Sequence, residues 1–265
     1  MKTPLPFLLL AAWHCSAQSV TNTFDTNPTL GGPDPGGSPP GVWYVDRSAP
    51  ATFASASFDG DNRLDVGVSA SDYHGGTFYD TQGRKFYLTG SAVGSSVSAQ
   101  LYIPTAWQTM TVGPGLWLTI NDNNSQPAGY PIIGFFSDGS GNSGGSYFRV
   151  WDDVTGYINL NTPINWNAWN TFQFIFTPGG IVASINGTDV FTDTAAVDNG
   201  GTTIANVMFE SKNYGTSYDA YWDNLVTSVP PPTNPVPEPD AIALLALGGV
   251  LLCKARKFSA HPEQS

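Results

Sequence analysis

Three runs of this chain alternate apolar and polar side chains with a period of two residues. Val97, Ala99, Leu101 and Ile103 alternate with Ser98, Gln100 and Tyr102; Leu64, Val66 and Val68 alternate with Asp65, Gly67 and Ser69; Leu116, Leu118 and Ile120 alternate with Trp117 and Thr119. A strand turns successive side chains to opposite faces, so each run reads as a strand with one buried face. Tyr130 to Phe136 is apolar on both faces apart from Pro131 and Gly134, which predicts a central strand covered on both sides. Phe172, Phe174 and Phe176 share a face, a turn at Pro178-Gly179-Gly180 leads into Ile181, Ala183 and Ile185, and Asn186-Gly187 predicts a tight hairpin returning through Val190-Phe191. A first strand is placed at Thr21 to Asp25, and Thr203 to Phe209 and Ser217 to Val226 close the series. Leu30 to Gly41 is dense in Gly and Pro and reads as an irregular loop. No helical stripe appears in this body. About a dozen strands joined by turns predict an all-β fold, a two-sheet antiparallel sandwich.

The ends differ from the body. Lys2, the apolar run Leu5 to Trp13 and Cys15-Ser16-Ala17 have the layout of a secretory signal peptide, residues 1–17. At the other end a Pro-rich linker, 230–239, leads to an uncharged stretch from Ala241 to Cys253 and then to Lys254, Arg256 and Lys257. A permanent anchor needs about 20 apolar residues, so this stretch is short for one, and its basic cluster would stay cytoplasmic. Val236-Pro237-Glu238-Pro239, the short apolar helix and Lys254, Arg256 and Lys257 together resemble the PEP-CTERM sorting signal of Gram-negative exopolysaccharide producers. The resemblance implies removal by an exosortase-type membrane protease, transient insertion of 240–257 in the inner membrane, and delivery to the cell surface or extracellular matrix. Residues 258–265 extend past the basic cluster. One domain, 18–229, is left, long enough for a sizeable core.

Both cysteines, Cys15 and Cys253, fall in the end segments, so the domain carries no disulfide in spite of its oxidising destination. Between Val20 and Pro230 eighteen acidic side chains face six basic ones. That balance argues against nucleic acid, whose phosphates need a basic surface, and suits divalent cations. Trp169-Asn170-Thr171-Phe172-Gln173-Phe174, followed after a Gly turn by Val182-Ala183-Ser184-Ile185-Asn186-Gly187, resembles the paired strands of concanavalin A-like, laminin-G-type jelly rolls. Tyr221-Trp222-Asp223-Asn224-Leu225-Val226 is similar to the last strand of bacterial modules of this kind. The resemblance implies a concanavalin A-like jelly roll, a fold that hosts lectins, hydrolases, lyases and adhesive modules alike.

Catalytic patterns are scarce. Laminarinase-type members of the fold carry Glu-x-Asp-x-x-Glu on one strand, whereas this chain has three glutamates, with Glu238 and Glu263 in the tail and Glu210 alone in the body. Asp152 and Asp153 would face opposite ways in a strand, or cap a turn. His74 is the one histidine of the domain, in the polar loop Ser71 to Gly76, which leaves no pattern for a triad or a histidine-ligated zinc. The expectation is therefore a protein that is not an enzyme, with no catalytic residues.

Two binding constellations remain. Rings stack on sugar C–H faces while polar groups read hydroxyls, and Tyr147, Arg149 and Trp151 would point one way if Phe148 and Val150 face the core, with Trp117 extending the stripe. Arg149 could then pair with a uronic acid carboxylate; in the alternative the same face is covered and the rings are core. Trp43, Trp107, Trp166 and Trp169 are assigned to packing or loop anchoring. A structural Ca2+ could join Asp25 to Asp223 and so tie the first strand to the last, as against an Asp223 that only accepts backbone hydrogen bonds. Asp59-Gly60-Asp61-Asn62-Arg63-Leu64-Asp65 has alternating Asp spacing but places Arg63 at a ligand position, and reads as an inter-strand turn. The leading expectation is an exported, non-catalytic protein that binds or organises extracellular polysaccharide. The alternative is a polysaccharide hydrolase or lyase on the same fold, and the third option is a protein-adhesion module.

Overall fold

The computed structural model describes residues 18–229 apart from 37–39, 76, 90 and 143. The signal peptide, the linker 230–239 and the sorting residues Val236, Pro237, Glu238, Pro239, Lys254, Arg256 and Lys257 lie outside the described residues. The strands are β1 Gln18–Asn22, β2 Leu30–Pro33, β3 Trp43–Val45, β4 Thr52–Phe58, β5 Asp61–Val68, β6 Thr81–Tyr87, β7 Ser96–Ile103, β8 Thr111–Val112 and β9 Pro114–Asp122. They continue as β10 Pro127–Gly129, β11 Ile132–Asp138, β12 Ser146–Asp152, β13 Gly156–Leu160, β14 Ala168–Thr177, β15 Gly180–Ile185, β16 Thr188–Asp193, β17 Gly201–Lys212 and β18 Tyr218–Val229. A single helical turn, α1 Ala195–Asp198, precedes β17.

These strands form two sheets. One has eight strands in the order β16-β15-β14-β7-β18-β5-β4, with β1 on β18; the other has ten in the order β13-β12-β11-β9-β17-β6-β3-β2, with β10 on β9 and β8 on β11. The fold is the expected all-β jelly-roll sandwich. Alternation explains the packing: Val97, Ala99, Leu101 and Ile103 of β7 and Phe172, Phe174 and Phe176 of β14 are buried between the sheets. They meet Leu116, Leu118, Phe135, Phe148, Val207 and Phe209 of the ten-stranded sheet in one core. Trp222 lies 4.6 Å from Phe209, and Phe209 stacks on Trp43 at 5.4 Å, centroid to centroid.

Turn chemistry follows the sequence. Asp59 (φ 53°) and Gly60 (φ 82°) join β4 to β5, and Asn186 (φ 52°) and Gly187 (φ 78°) join β15 to β16. Two successive left-handed residues are what a tight hairpin needs. The segment from Leu30 departs from expectation, because Leu30–Pro33 pairs in parallel with β3. Glycine permits it: a Cβ on Gly31 would sit 2.6 Å from the Tyr44 ring. The strands number more than the dozen expected, several being two to four residues long and lacking a readable period.

Candidate functional site

On the outer face of the ten-stranded sheet, residues of the opposite parity from the core line up across strands. Lys85, Met208, Trp117, Ile132, Trp151 and Tyr157 occupy one register row over six strands. Trp117, Ile132 and Met208 form a small hydrophobic cluster of their own, against which Phe78, Trp151 and Tyr157 pack. Phe78 stands 4.6 Å from Trp151 and 5.8 Å from Trp117. Above this row opens a cleft of about 390 Å³, lined by these rings together with Asp46, Arg47, Tyr79, Lys85, Tyr130 and Asp153.

The charged groups of the cleft are held in place. Lys85 donates to Asp46 at 2.6 Å and to Asp34 at 3.0 Å. Burial disfavours its charged form, but the two ion pairs outweigh that and raise its pKa. Arg47 contacts Asp46 at 3.1 Å and lays its guanidinium over the rings of Tyr79 and Trp117 at 4.8 and 5.3 Å. Asp153 accepts the indole N–H of Trp151 at 2.9 Å and the backbone N–H of Tyr130 at 3.2 Å. Asp152 caps its own turn, accepting from the Val154 N–H and the Thr155 hydroxyl. Asp152 thus ends β12 and Asp153 begins the turn, and only Asp153 reaches the cleft.

One row further along lie Gly83, Glu210, Gly115, Gly134 and Arg149. The glycines are required by what folds over them. A Cβ on Gly83 would come within 2.6 Å of the Glu210 carboxyl carbon, and one on Gly115 within 2.8 Å of Trp117 Nε1. Glu210 is 1% exposed, and neither carboxyl oxygen has a hydrogen-bond partner among the described residues. Burial pushes its pKa up to about 8, and the nearby charge of Asp46 adds to the rise. The Thr81 hydroxyl, outside hydrogen-bond geometry, and the charges of Arg47 and Lys85 act the other way without reversing it. At neutral pH Glu210 is thus a neutral acid near Asp46.

Of the residues expected to bind ligand, Trp117 and Trp151 meet in the cleft. Arg149 and Tyr147 share their face but do not line it. Arg149 is 8% exposed, its guanidinium 4.0 Å from the Tyr157 ring centroid and 4.8 Å from that of Phe136, and it donates to the Tyr214 hydroxyl at 3.1 Å. Tyr147 packs against Phe136 at 5.2 Å. Rings thus cover Arg149, while Tyr147 stays half-buried and lines a separate depression with Asn159 and Trp166.

Asp25 and Asp223 do lie near enough to sense each other's charge, but the cation beside Asp223 is Arg63, 3.2 Å away and also 2.8 Å from Asp61. Among the described residues no three His, Cys, Asp or Glu side chains converge as metal ligands. His74 is an exposed loop residue whose backbone N–H donates to Asp80. Asp46, Arg47, Phe78, Tyr79, Lys85 and Tyr130 were not legible as site residues, because only long-range pairing brings them over Trp117.

No protein-family model and no curated protein matches the sequence. Solved structures do share the fold. One, published as "Prominent members of the human gut microbiota express endo-acting O-glycanases to initiate mucin breakdown", has a TM-score of 0.50 at 12% identity over 80% of this chain and 98% of that one. A non-specific endo-beta-1,3(4)-glucanase from family GH16 has a TM-score of 0.49 at 10% identity over 82% and 93%. A sialidase has 0.44 at 12% identity, covering 71% of this chain but only 17% of the sialidase. At these identities the likeness shows the fold alone, a two-sheet jelly-roll sandwich.

The expectation that the chain is not an enzyme does not stand, because the fold it shares at a TM-score of 0.50 is that of a structure published under a title on endo-acting O-glycanases, so this sandwich also houses enzymes. It rested on the lack of a one-strand carboxylate motif, of a usable Asp152–Asp153 pair and of a histidine for a triad or zinc, all of them patterns local to the sequence. The fold gathers carboxyl groups from three distant segments, at Asp46, Asp153 and Glu210, around one aromatic face.

Proposed function

We propose that this protein is an exported enzyme that cleaves extracellular polysaccharide in the cleft over Trp117 and Trp151. The observation that carries the reading is the make-up of that cleft, where two tryptophans and Phe78 stand beside Asp46, Asp153, Arg47 and Lys85. Rings offer C–H faces for stacking, and charged side chains orient hydroxyls and carboxylates. Hydrolysis of a glycosidic bond needs one carboxyl to protonate the leaving oxygen and a second to activate water or attack the anomeric carbon. Asp46 and Asp153 are the two carboxyls that reach the cleft, and the buried neutral Glu210 keeps negative charge beneath Asp46 from accumulating. Water's hydroxyl then ends on the anomeric carbon and the proton on the departing sugar.

A second reading, β-elimination on a uronate, is favoured by Arg47 standing in the same cleft as Tyr79 and Tyr130. Arg47 would neutralise the sugar carboxylate, and a tyrosine would take the C5 proton and pass it to the departing oxygen as the C4–O bond breaks and the C4–C5 double bond forms. Export is supported by the layout of residues 1–17, and sorting by an exosortase-type protease is supported by 236–257.

The test is to incubate the full chain with laminarin, xyloglucan, polygalacturonate and alginate, following reducing ends and the ultraviolet absorbance of unsaturated sugars. Reducing ends alone indicate hydrolysis, and both signals together indicate elimination. Release of neither from every polymer contradicts the proposal.

A further inference from the structure

The depression beside Tyr147, of about 620 Å³, differs from the cleft in its chemistry. No charged side chain lines it, whereas Asp46, Arg47, Lys85 and Asp153 line the cleft. Leu160, Ile164 and Trp166 pack down on the main core and give the depression an apolar floor. The carboxamides of Gln108, Asn159 and Asn161 stand in its walls. Asn159 and Asn161 are exposed and Gln108 is half-buried. None of the three side-chain amides has a hydrogen-bond partner among the described residues, and none is sealed from solvent. Their N–H and C=O groups are therefore open to a ligand.

The walls are held by the protein itself. β13 ends the ten-stranded sheet, and the segment 161–167 that follows it is not a strand. Asn170, fully buried, pins that segment instead: its side-chain N–H donates to the Asn165 carbonyl at 2.9 Å, and its side-chain oxygen accepts the Asn165 N–H at 3.1 Å. Asn167, at a φ of 51°, accepts the Thr105 N–H at 2.9 Å, which ties the segment to the helical turn Thr105–Thr109 that carries Gln108. The Gln108 carbonyl in turn accepts the Gly141 N–H at 2.9 Å. Walls fixed in advance lose little freedom when a ligand binds. Tyr147 and Trp151 are four residues apart on β12, about 13 Å along an extended strand. Between them Arg149 is covered by the rings of Tyr157 and Phe136. The depression is thus a site apart from the cleft.

We infer that this depression is an auxiliary binding site for a neutral polysaccharide, separate from the place of cleavage. A sugar ring offers apolar C–H faces and hydroxyls that both donate and accept. The apolar floor suits the first, and carboxamides, which also donate and accept, suit the second. A uronate or a sulfate ester would call for a cation, and none lines the depression. The inference goes beyond the reading of the cleft and stands without it, since the site retains polymer whether or not the cleft cuts. Where the cleft does cut, retention at a second point raises the concentration of polymer beside it.

The experiment runs the full chain in native affinity gels that contain laminarin, xyloglucan, alginate or polygalacturonate. Laminarin or xyloglucan, both neutral, is expected to retard wild type and to go on retarding Trp117→Ala, in which the cleft is impaired. Asn159→Ala combined with Asn161→Ala is expected to weaken affinity for that polymer by about tenfold. Both side chains are exposed and make no hydrogen bond within the protein, so their loss leaves the packing intact. Gln108→Ala, from a different segment, is the independent second variant. Full affinity for the neutral polymer in both the paired asparagine variant and Gln108→Ala overturns the site, even if the cleft cuts. Retardation that Trp117→Ala abolishes overturns it too, as does retardation by the acidic polymers alone. Retardation by no polymer also overturns it, and leaves the depression to a protein partner. Affinity that depends on Asn159 and Asn161, with no polymer cleaved, upholds the site and overturns only the enzymatic reading.

Discussion

Glu210 is the residue whose environment departs furthest from what its type prefers. A fully buried carboxyl with neither oxygen partnered among the described residues favours its neutral form. The sign of the linkage follows. The folded-state pKa, about 8, lies above the unfolded value near 4.5, so between these values the native state holds a proton that the unfolded state has lost. Stability therefore falls as pH rises through that window and levels off above it. Burial pushes Asp65 and Asp193 up to about 6, and they add to the same slope at its acidic end. Glu210→Gln is expected to flatten the profile: it matches wild type near pH 5 and is the more stable protein at pH 8.5, by on the order of 1–2 kcal/mol. Urea melts across pH check this, and a variant slope as steep as wild type refutes it. The sequence showed Glu210 as a solitary glutamate in an alternating strand. Its parity was readable, but the layer that seals it comes from Asp46 and Arg47, more than 150 residues away in the chain.

At the scale of elements, the outer face works because its strands interleave glycines with large side chains. Gly83 has no space for a methyl group, which would meet the Phe209 carbonyl oxygen and the Glu210 carboxyl. Gly83→Ala is therefore expected to lower stability by about 1–3 kcal/mol, whereas Gly32, with nothing within 4 Å, should tolerate alanine. Equal melting temperatures for the two variants would contradict this account of the row. Arg63 of β5 adds an ion pair to Asp223 of β18 while also pairing with Asp61 of its own strand. Arg63→Met leaves the buried Asp223 carboxylate unpaired and should cost about 2–4 kcal/mol in denaturant melts. Asp223→Asn should recover part of that loss in the double variant. Period-two patterning located β5, β7, β9, β14 and β15, because each buries one face against a continuous core. It could not locate β2, β3, β8 or β10, whose two to four residues are too few to show a period and whose pairing depends on neighbours far along the chain.

For the whole molecule, the sandwich separates its two tasks by face: parity toward the core builds one hydrophobic layer, and the opposite parity on the ten-stranded sheet builds the cleft. The all-β fold and the pairing of Trp117 with Trp151 were legible because both follow from alternation within strands. The rest of the site was not, since Asp46, Arg47 and Phe78 come from connecting segments placed over the sheet by topology. The central claim, that the cleft cleaves polysaccharide, is tested most directly by steady-state rates for wild type, Asp46→Asn, Asp153→Asn and Trp117→Ala on the polymer that wild type cuts. The account predicts that each asparagine variant loses about 100-fold or more in kcat, while Trp117→Ala acts mainly through KM. Asparagine variants that fold and turn over at the wild-type rate would contradict it.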